Sequence, residues 1–228
     1  MFLVKFIRDI QRKFELIPAS AAIFYNAFIK RLLSKSEMKI TLTVIQRIEK
    51  GILIDIGSGT GYLSIEIGKR APQLKIYGVD LSKKMVEIAT SNARGIKNVQ
   101  FKFGNAAELS FEDESVDFIV STGSFHHWKN PIKIFNECYR VLKNSGEGWI
   151  YDGCSDLPFK ETNELIRKNG FLRYLIMSRI PKLHGFTWEE YKTSIRNILD
   201  RTKFKDSYTM ELIDTWMRIT LIKKPIRQ

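Results

Sequence analysis

Only two of the 228 residues are cysteines, Cys138 and Cys154. They stand outside any CxxC pair and have no histidine cluster around them, which excludes a disulfide framework and a zinc-type ligand set. Both read as reduced bystanders, and no metal site is expected. Long apolar runs are missing too. No stretch approaches the roughly 20 residues needed to cross a bilayer. The opening MFLVKFIRDIQRKF interrupts its apolar positions with charges, unlike a secretory leader. The expectation is a soluble, cytoplasmic protein. There is no internal repeat, no low-complexity tract and no long basic run. The net charge of +12 would suit nucleic acid, an anionic membrane surface or an acidic small molecule, yet its cations are spread along the whole chain.

What the chain does contain is enough apolar residue, 44%, for one well-buried core. Four stretches are expected within a single domain: a helical cap at 1–50, an α/β core at 51–156, a helical insertion or lid at 157–203, and final strands of the core at 204–228. In the first stretch, Leu3, Phe6, Ile7, Ile10, Phe14 and Ile17 recur at helical spacing. Two more helical patterns cover 21–33 and 37–50, with Gly51 as a left-handed cap.

The period then shortens. ILIDI, LKIYGVD, VQFKF, VDFIVS and GWIYD are short, β-branched or aromatic, and bounded by turn residues, as buried strands are. Helices separate several of them: Tyr62 to Arg70, a segment capped by Ser82, and one opened by Asn130 and Pro131 that runs through Leu142. Asn144 and Gly146 are both able to take the positive φ that stops it. Alternation of strand and helix predicts a parallel sheet covered on both faces. Beyond Asp152 the pattern is helical again, with a capping box at Thr187 and Glu190. Last come SYTMEL and TWMRITLIKK, a pair of strands turning at Ile213 and Asp214 and pairing antiparallel at the sheet edge.

One stretch carries chemistry. DIGSGTGYL places Gly57, Gly59 and Gly61 between the first strand and its helix, where doubly wound sheets bind ligands. Glycines let the chain turn tightly and let a ligand lie against bare backbone. The pattern is GxGxG with Asp55 two residues ahead, which is neither the GxGxxG dinucleotide fingerprint nor a phosphate loop, since no Lys follows.

With this motif the sequence resembles the class I S-adenosylmethionine-dependent methyltransferases, whose first motif is an acidic residue followed by GxGxG. Asp80 ends IYGVD where that family places the acid that binds both ribose hydroxyls, and LSKKM continues as the family does. FGNAAEL matches the segment flanking adenine, with Asn105 in place of a frequent Asp. STGSFHHWKNPIKIFNECYRVLKNSGEG looks like the subgroup of ubiquinone and menaquinone C-methyltransferases, although LKNSGE lacks the usual proline and doubled glycine. The resemblance covers about 51–152 strongly and the last strands weakly. It implies an α/β fold: a doubly wound, mostly parallel seven-stranded Rossmann-like sheet with an antiparallel edge strand, plus N-terminal helices and a helical insertion before the last two strands.

It also implies a cofactor, S-adenosyl-L-methionine, and residues to hold it: Tyr25, Asp55, Gly57, Ser58, Gly59, Gly61, Asp80, Leu81, Met85, Asn105, Ala106 and Ser121. A carboxylate accepting two hydrogen bonds suits a ribose diol, and Asp55 with backbone carbonyls suits the methionine ammonium. Methyl transfer from a sulfonium is an in-line displacement that asks mainly for alignment and exclusion of water. A protonated nucleophile needs a base, and His126 and His127 follow the fourth strand where the acceptor pocket lies.

Other readings stand beside these. Asp55 can fix the loop instead, Asp80 can cap a helix, Gly61 can serve helix–sheet packing, and Met85 can be core. One histidine can cap its loop while the other packs beside Trp128. Tyr174, Met177, His184 and Trp188 are candidates for an acceptor cavity or for plain packing. The leading expectation is an enzyme acting on a small-molecule acceptor, anionic or lipid-like. The alternatives are an RNA or DNA methyltransferase, a cofactor-binding domain without catalysis, and peripheral membrane contact through the basic N-terminal helix. Against nucleic acid, STGSF lacks the paired prolines common after the fourth strand of base N-methyltransferases.

Overall fold

The computed structural model describes residues 30–171, 174, 185–214 and 216–225. The 3–17 pattern, Tyr25, Met177 and His184 lie outside them. The chain runs through α1 (Lys30–Arg47), β1 (Gly51–Ile56), α2 (Tyr62–Arg70), β2 (Leu74–Asp80), α3 (Lys83–Asn92), β3 (Val99–Phe103), β4 (Val116–Thr122), a 3-10 turn (Phe125–His127), α4 (Pro131–Val141), β5 (Leu142–Gly153) and α5 (Phe159–Asn169). A short helix, α6 (Trp188–Glu190), continues through one π turn (Tyr191–Ile195) into α7 (Arg196–Leu199), and the hairpin of β6 (Tyr208–Ile213) and β7 (Trp216–Ile222) follows.

All seven strands form one sheet in the order β3-β2-β1-β4-β5-β7-β6. The first five run parallel, and β7 is antiparallel to both of its neighbours. The antiparallel strand thus sits one place in from the edge, with β6 outside it. Alternating side chains send the strands' apolar residues to two faces. Leu53, Phe118 and Val120 pack with Val44 of α1 and Ile67 of α2 on one face, while Ile54, Ile119 and Ile150 pack with Phe135 of α4 and Ile195 and Leu199 on the other. Burial on both faces accounts for the continuous apolar runs of β1 and β4.

Several local expectations change. One helix, α1, bridges the interval between the two predicted segments, because nothing in the SKS stretch at 34–36 that separates them breaks a helix. It ends at Arg47, and Gly51 is no helix cap: it opens β1 at φ 108, where a Cβ would stand 2.5 Å from Asp117 Oδ2. That same oxygen accepts the Ile52 N–H. Leu142 is extended and begins β5 rather than ending α4. The positive φ beyond it falls on Ser145, not on Asn144 or Gly146. The capping box at Thr187 and Glu190 forms with both of its hydrogen bonds, and Asp214 turns the hairpin at φ 55.

Candidate functional site

The loop after β1 is tied to the end of β2. Gly57 and Ser58 both donate their backbone N–H to Val79 O, at 2.8 and 3.2 Å. Gly57, Gly59 and Gly61 all have positive φ, which explains why the loop is glycine-rich. Asp80 completes the tie: Oδ2 accepts Gly59 N–H and Oδ1 accepts Ser82 N–H, both at 2.8 Å. Each oxygen keeps a further lone pair. Burial raises the Asp80 carboxyl above its ordinary pKa despite those two bonds.

Asp55 lies beneath the loop, 1% exposed. Its Oδ2 accepts the Ser64 hydroxyl at 2.7 Å, while Oδ1 has no hydrogen-bond partner among the described residues. Burial, opposed by Ser64 and aided by the charge of Asp80, pushes its pKa up to about 7.

A cavity open to solvent lies over the carboxyl ends of β1, β2 and β4, the place where doubly wound sheets bind ligands. Of the predicted residues, Gly57, Ser58, Gly59, Asp80, Leu81, Met85, Asn105, Ala106 and His127 line it. Asp55, Gly61, Ser121 and His126 do not. Gly61 is instead the cap of α2, where a Cβ would stand 2.9 Å from Phe101 Cε1 and 3.0 Å from Ala89 Cβ, so its bareness serves helix–sheet packing. Ser121 is buried and bonded to Ser124 Oγ at 2.7 Å. Asn105 Oδ1 accepts Ala107 N–H at 2.9 Å, ordering the turn after β3. Trp188 packs on Tyr191 at 5.4 Å, away from the cavity, and Tyr174 is not in its lining either.

The histidine pair divides. His127 faces the cavity; His126 is buried, its Nδ1 2.9 Å from both oxygens of Asp152. Asp152 also accepts the backbone N–H of His126 and of Gly153. Burial alone would raise the Asp152 carboxyl, but His126 and these hydrogen bonds hold it below its ordinary value. The two imidazoles contact each other with centroids 4.1 Å apart, tilted 43°.

Asp152 is the residue that sequence reasoning missed. Its one signal was position, since it ends GWIYD much as Asp80 ends IYGVD. Tyr62, Ser124 and Trp128 also line the cavity unforeseen. Ser124 Oγ accepts from Trp128 Nε1 at 3.2 Å and donates to Ile56 O, which fixes the turn that carries His127.

A Rossmann-like sheet with a bare loop after β1 and a carboxylate at the end of β2 defines a protein built to bind a nucleoside cofactor. A family model described as a methyltransferase domain matches residues 54–150. A solved structure from Methanococcus maripaludis, inferred to be an S-adenosyl-L-methionine-dependent methyltransferase, superposes with TM-score 0.72 at 30% identity, covering 92% of this chain and 94% of that one. The chain belongs to the class I S-adenosyl-L-methionine-dependent methyltransferases. Among curated relatives, the uncharacterized methyltransferase YcgJ of Bacillus subtilis is 36% identical over 102 residues, 44% of this chain. The demethylmenaquinone methyltransferase of Thermotoga maritima is 36% identical over 94 residues, 41% of this chain. The matched stretch spans 40% of the length of each of those two relatives.

The residues present fit the family's cofactor. The bare backbone of Gly57 and Gly59 and the carboxylate of Asp80 border the cavity, Leu81 and Met85 supply apolar lining, and the orphaned Asp55 oxygen is buried beneath the loop.

Proposed function

We propose that this chain transfers a methyl group from S-adenosyl-L-methionine to a small-molecule acceptor by in-line displacement. The observation that carries the reading is one continuous cavity bordered at one side by Gly57, Gly59 and Asp80 and at another by His127. When bound, the cofactor supplies an electrophilic methyl carbon on a sulfonium sulfur.

The chain's own residues do the holding. Asp80 offers its remaining lone pairs to a ribose diol, at a strand end where two backbone amides already fix the carboxylate. Leu81 and Met85 would supply apolar contact to an adenine ring, and Asn105 and Ala106 line the same cavity. The glycine loop would leave bare backbone against which the amino-acid moiety could lie. Trp128 of the aromatic turn borders the cavity and packs on the buried Phe125. The similarity to the demethylmenaquinone methyltransferase of Thermotoga maritima supports a lipid-like quinone as one class of acceptor.

Calorimetry with S-adenosylhomocysteine, wild type against Asp80→Ala, tests the cofactor half; the expected result is binding by the wild type and a large loss in the variant. Incubation with methyl-labelled cofactor and a small-molecule extract tests the other half. No heat with the wild type would sink the reading.

A further inference from the structure

We infer that Asp152 and His126 form a buried positioning pair for His127, and that His127 receives the proton of an acceptor whose nucleophilic atom carries one, a hydroxyl oxygen or an ammonium nitrogen. This rests on the methyltransferase reading and adds to it the acceptor class and two residues acting behind the cavity wall.

The geometry assigns the three residues different work. The side chains of His126 and Asp152 are 5% and 3% exposed, too enclosed to meet an acceptor, whereas His127 borders the cavity. Asp152 accepts two backbone N–H bonds besides its contact with Nδ1 of His126, so its carboxylate is fixed in place and ionised. An ionised oxygen at 2.9 Å requires a proton on Nδ1, which sets one tautomer of His126. The His126 ring lies against the His127 ring at 4.1 Å. The turn cannot swing away, because Phe125 is wedged edge-on between Trp128 and Phe135, at 5.1 and 5.4 Å.

The His126 ring, backed by a buried negative charge, therefore stands behind the ring that must become positive. As the acceptor's O–H or N–H bond breaks, its proton passes to a ring nitrogen of His127; the freed electron pair forms the bond to the methyl carbon, and the carbon–sulfur pair stays with sulfur. The imidazolium that results is stabilised by the buried Asp152 charge one ring away. Among the described residues, ionisable groups near His127 include His126 on its own turn, Asp152 from β5, and, on the same cavity's lining, Asp80 from β2 and Tyr62 from α2.

With three histidines in the chain, nitrogen-15 NMR of the histidine-labelled full-length protein, saturated with S-adenosylhomocysteine, reads each ring. In the wild type, Nδ1 of His126 should carry a proton. In Asp152→Asn the titration midpoint of His127 should fall by about one pH unit or more, the scale expected for loss of a buried charge one ring away. The pH profile of label transfer should move with it. An unprotonated Nδ1 on wild-type His126, or a His127 midpoint equal in the two proteins, overturns the inference. So does transfer by His127→Gln with the wild-type pH profile. Should Asp152→Asn not fold, the wild-type tautomer still decides. Absence of S-adenosylhomocysteine binding by the wild type would instead sink the methyltransferase reading on which all this stands.

Discussion

Gly57 and Ser124 exclude each other's side chains: a Cβ on Gly57 would stand 2.5 Å from Ser124 Oγ. Ser124 cannot yield, since its hydroxyl is bonded to Ser121, Ile56 O and Trp128. The glycine loop and the turn that carries His127 are therefore fitted to one another directly.

Gly57→Ala combines this clash with a φ of 68 that an alanine resists, and should lower stability by about 2–4 kcal/mol. Gly59→Ala has a similar φ, 53, but its Cβ meets no protein atom within 4 Å. It should lower stability by only about 1 kcal/mol, the left-handed penalty alone, yet still weaken S-adenosylhomocysteine binding, because the methyl occupies ligand space. Urea unfolding and calorimetry on the two variants measure both. Equal stability losses would refute the assignment of the clash.

Asp80→Asn replaces one acceptor oxygen with an amide nitrogen. It then faces the Gly59 or Ser82 N–H with a donor and loses a charge-assisted partner for a diol. Affinity for S-adenosylhomocysteine should fall about 10- to 100-fold, the scale of one or two hydrogen bonds to a charged group. An unchanged dissociation constant would remove Asp80 from the binding set.

Asp55 makes folding depend on pH in a stated direction. Its pKa is about 7 in the fold against 3.8 when exposed, so between those values the folded chain holds a proton that the unfolded chain has released. Stability from this group is complete below about pH 4, falls as pH rises towards 7, and levels off above it, a change on the order of a few kcal/mol. Asp152, held below the ordinary range, contributes in the opposite sense and loses its contribution only in acid. Melting temperatures of the wild type should decline from about pH 5 to 8 while those of Asp55→Asn stay flatter. Parallel curves would show that Asp55 is not the group responsible.

Where local chemistry marks both ends of an element, its bounds were readable from the chain. β2, β3 and α2 match residue for residue because turn residues or glycines flank them, and Ser82 and Asn130 cap their helices as their types suggest. The glycine loop and Asp80 were readable for the same reason. The split between His126 and His127 was not. Adjacent identical residues differ only through what folds against them, and the partner that separates them, Asp152, lies 26 positions away on another strand. Asp55 and Asp80 likewise look alike in sequence, while one is sealed under the loop and the other borders the cavity. The unbroken α1 shows the converse: two hydrophobic stripes with a polar interval read as two helices, but the backbone needs no interruption there.

The placement of β7 between β5 and β6 has a bearing on synthesis. β6 reaches the sheet only through β7, so a nascent chain that has emerged as far as residue 215 holds the long β5 with one rim of amides and carbonyls unmatched. Such a rim is a template for stray pairing between chains. Until 216–222 arrive to fill the slot, the half-made protein is at its most prone to aggregate on the ribosome.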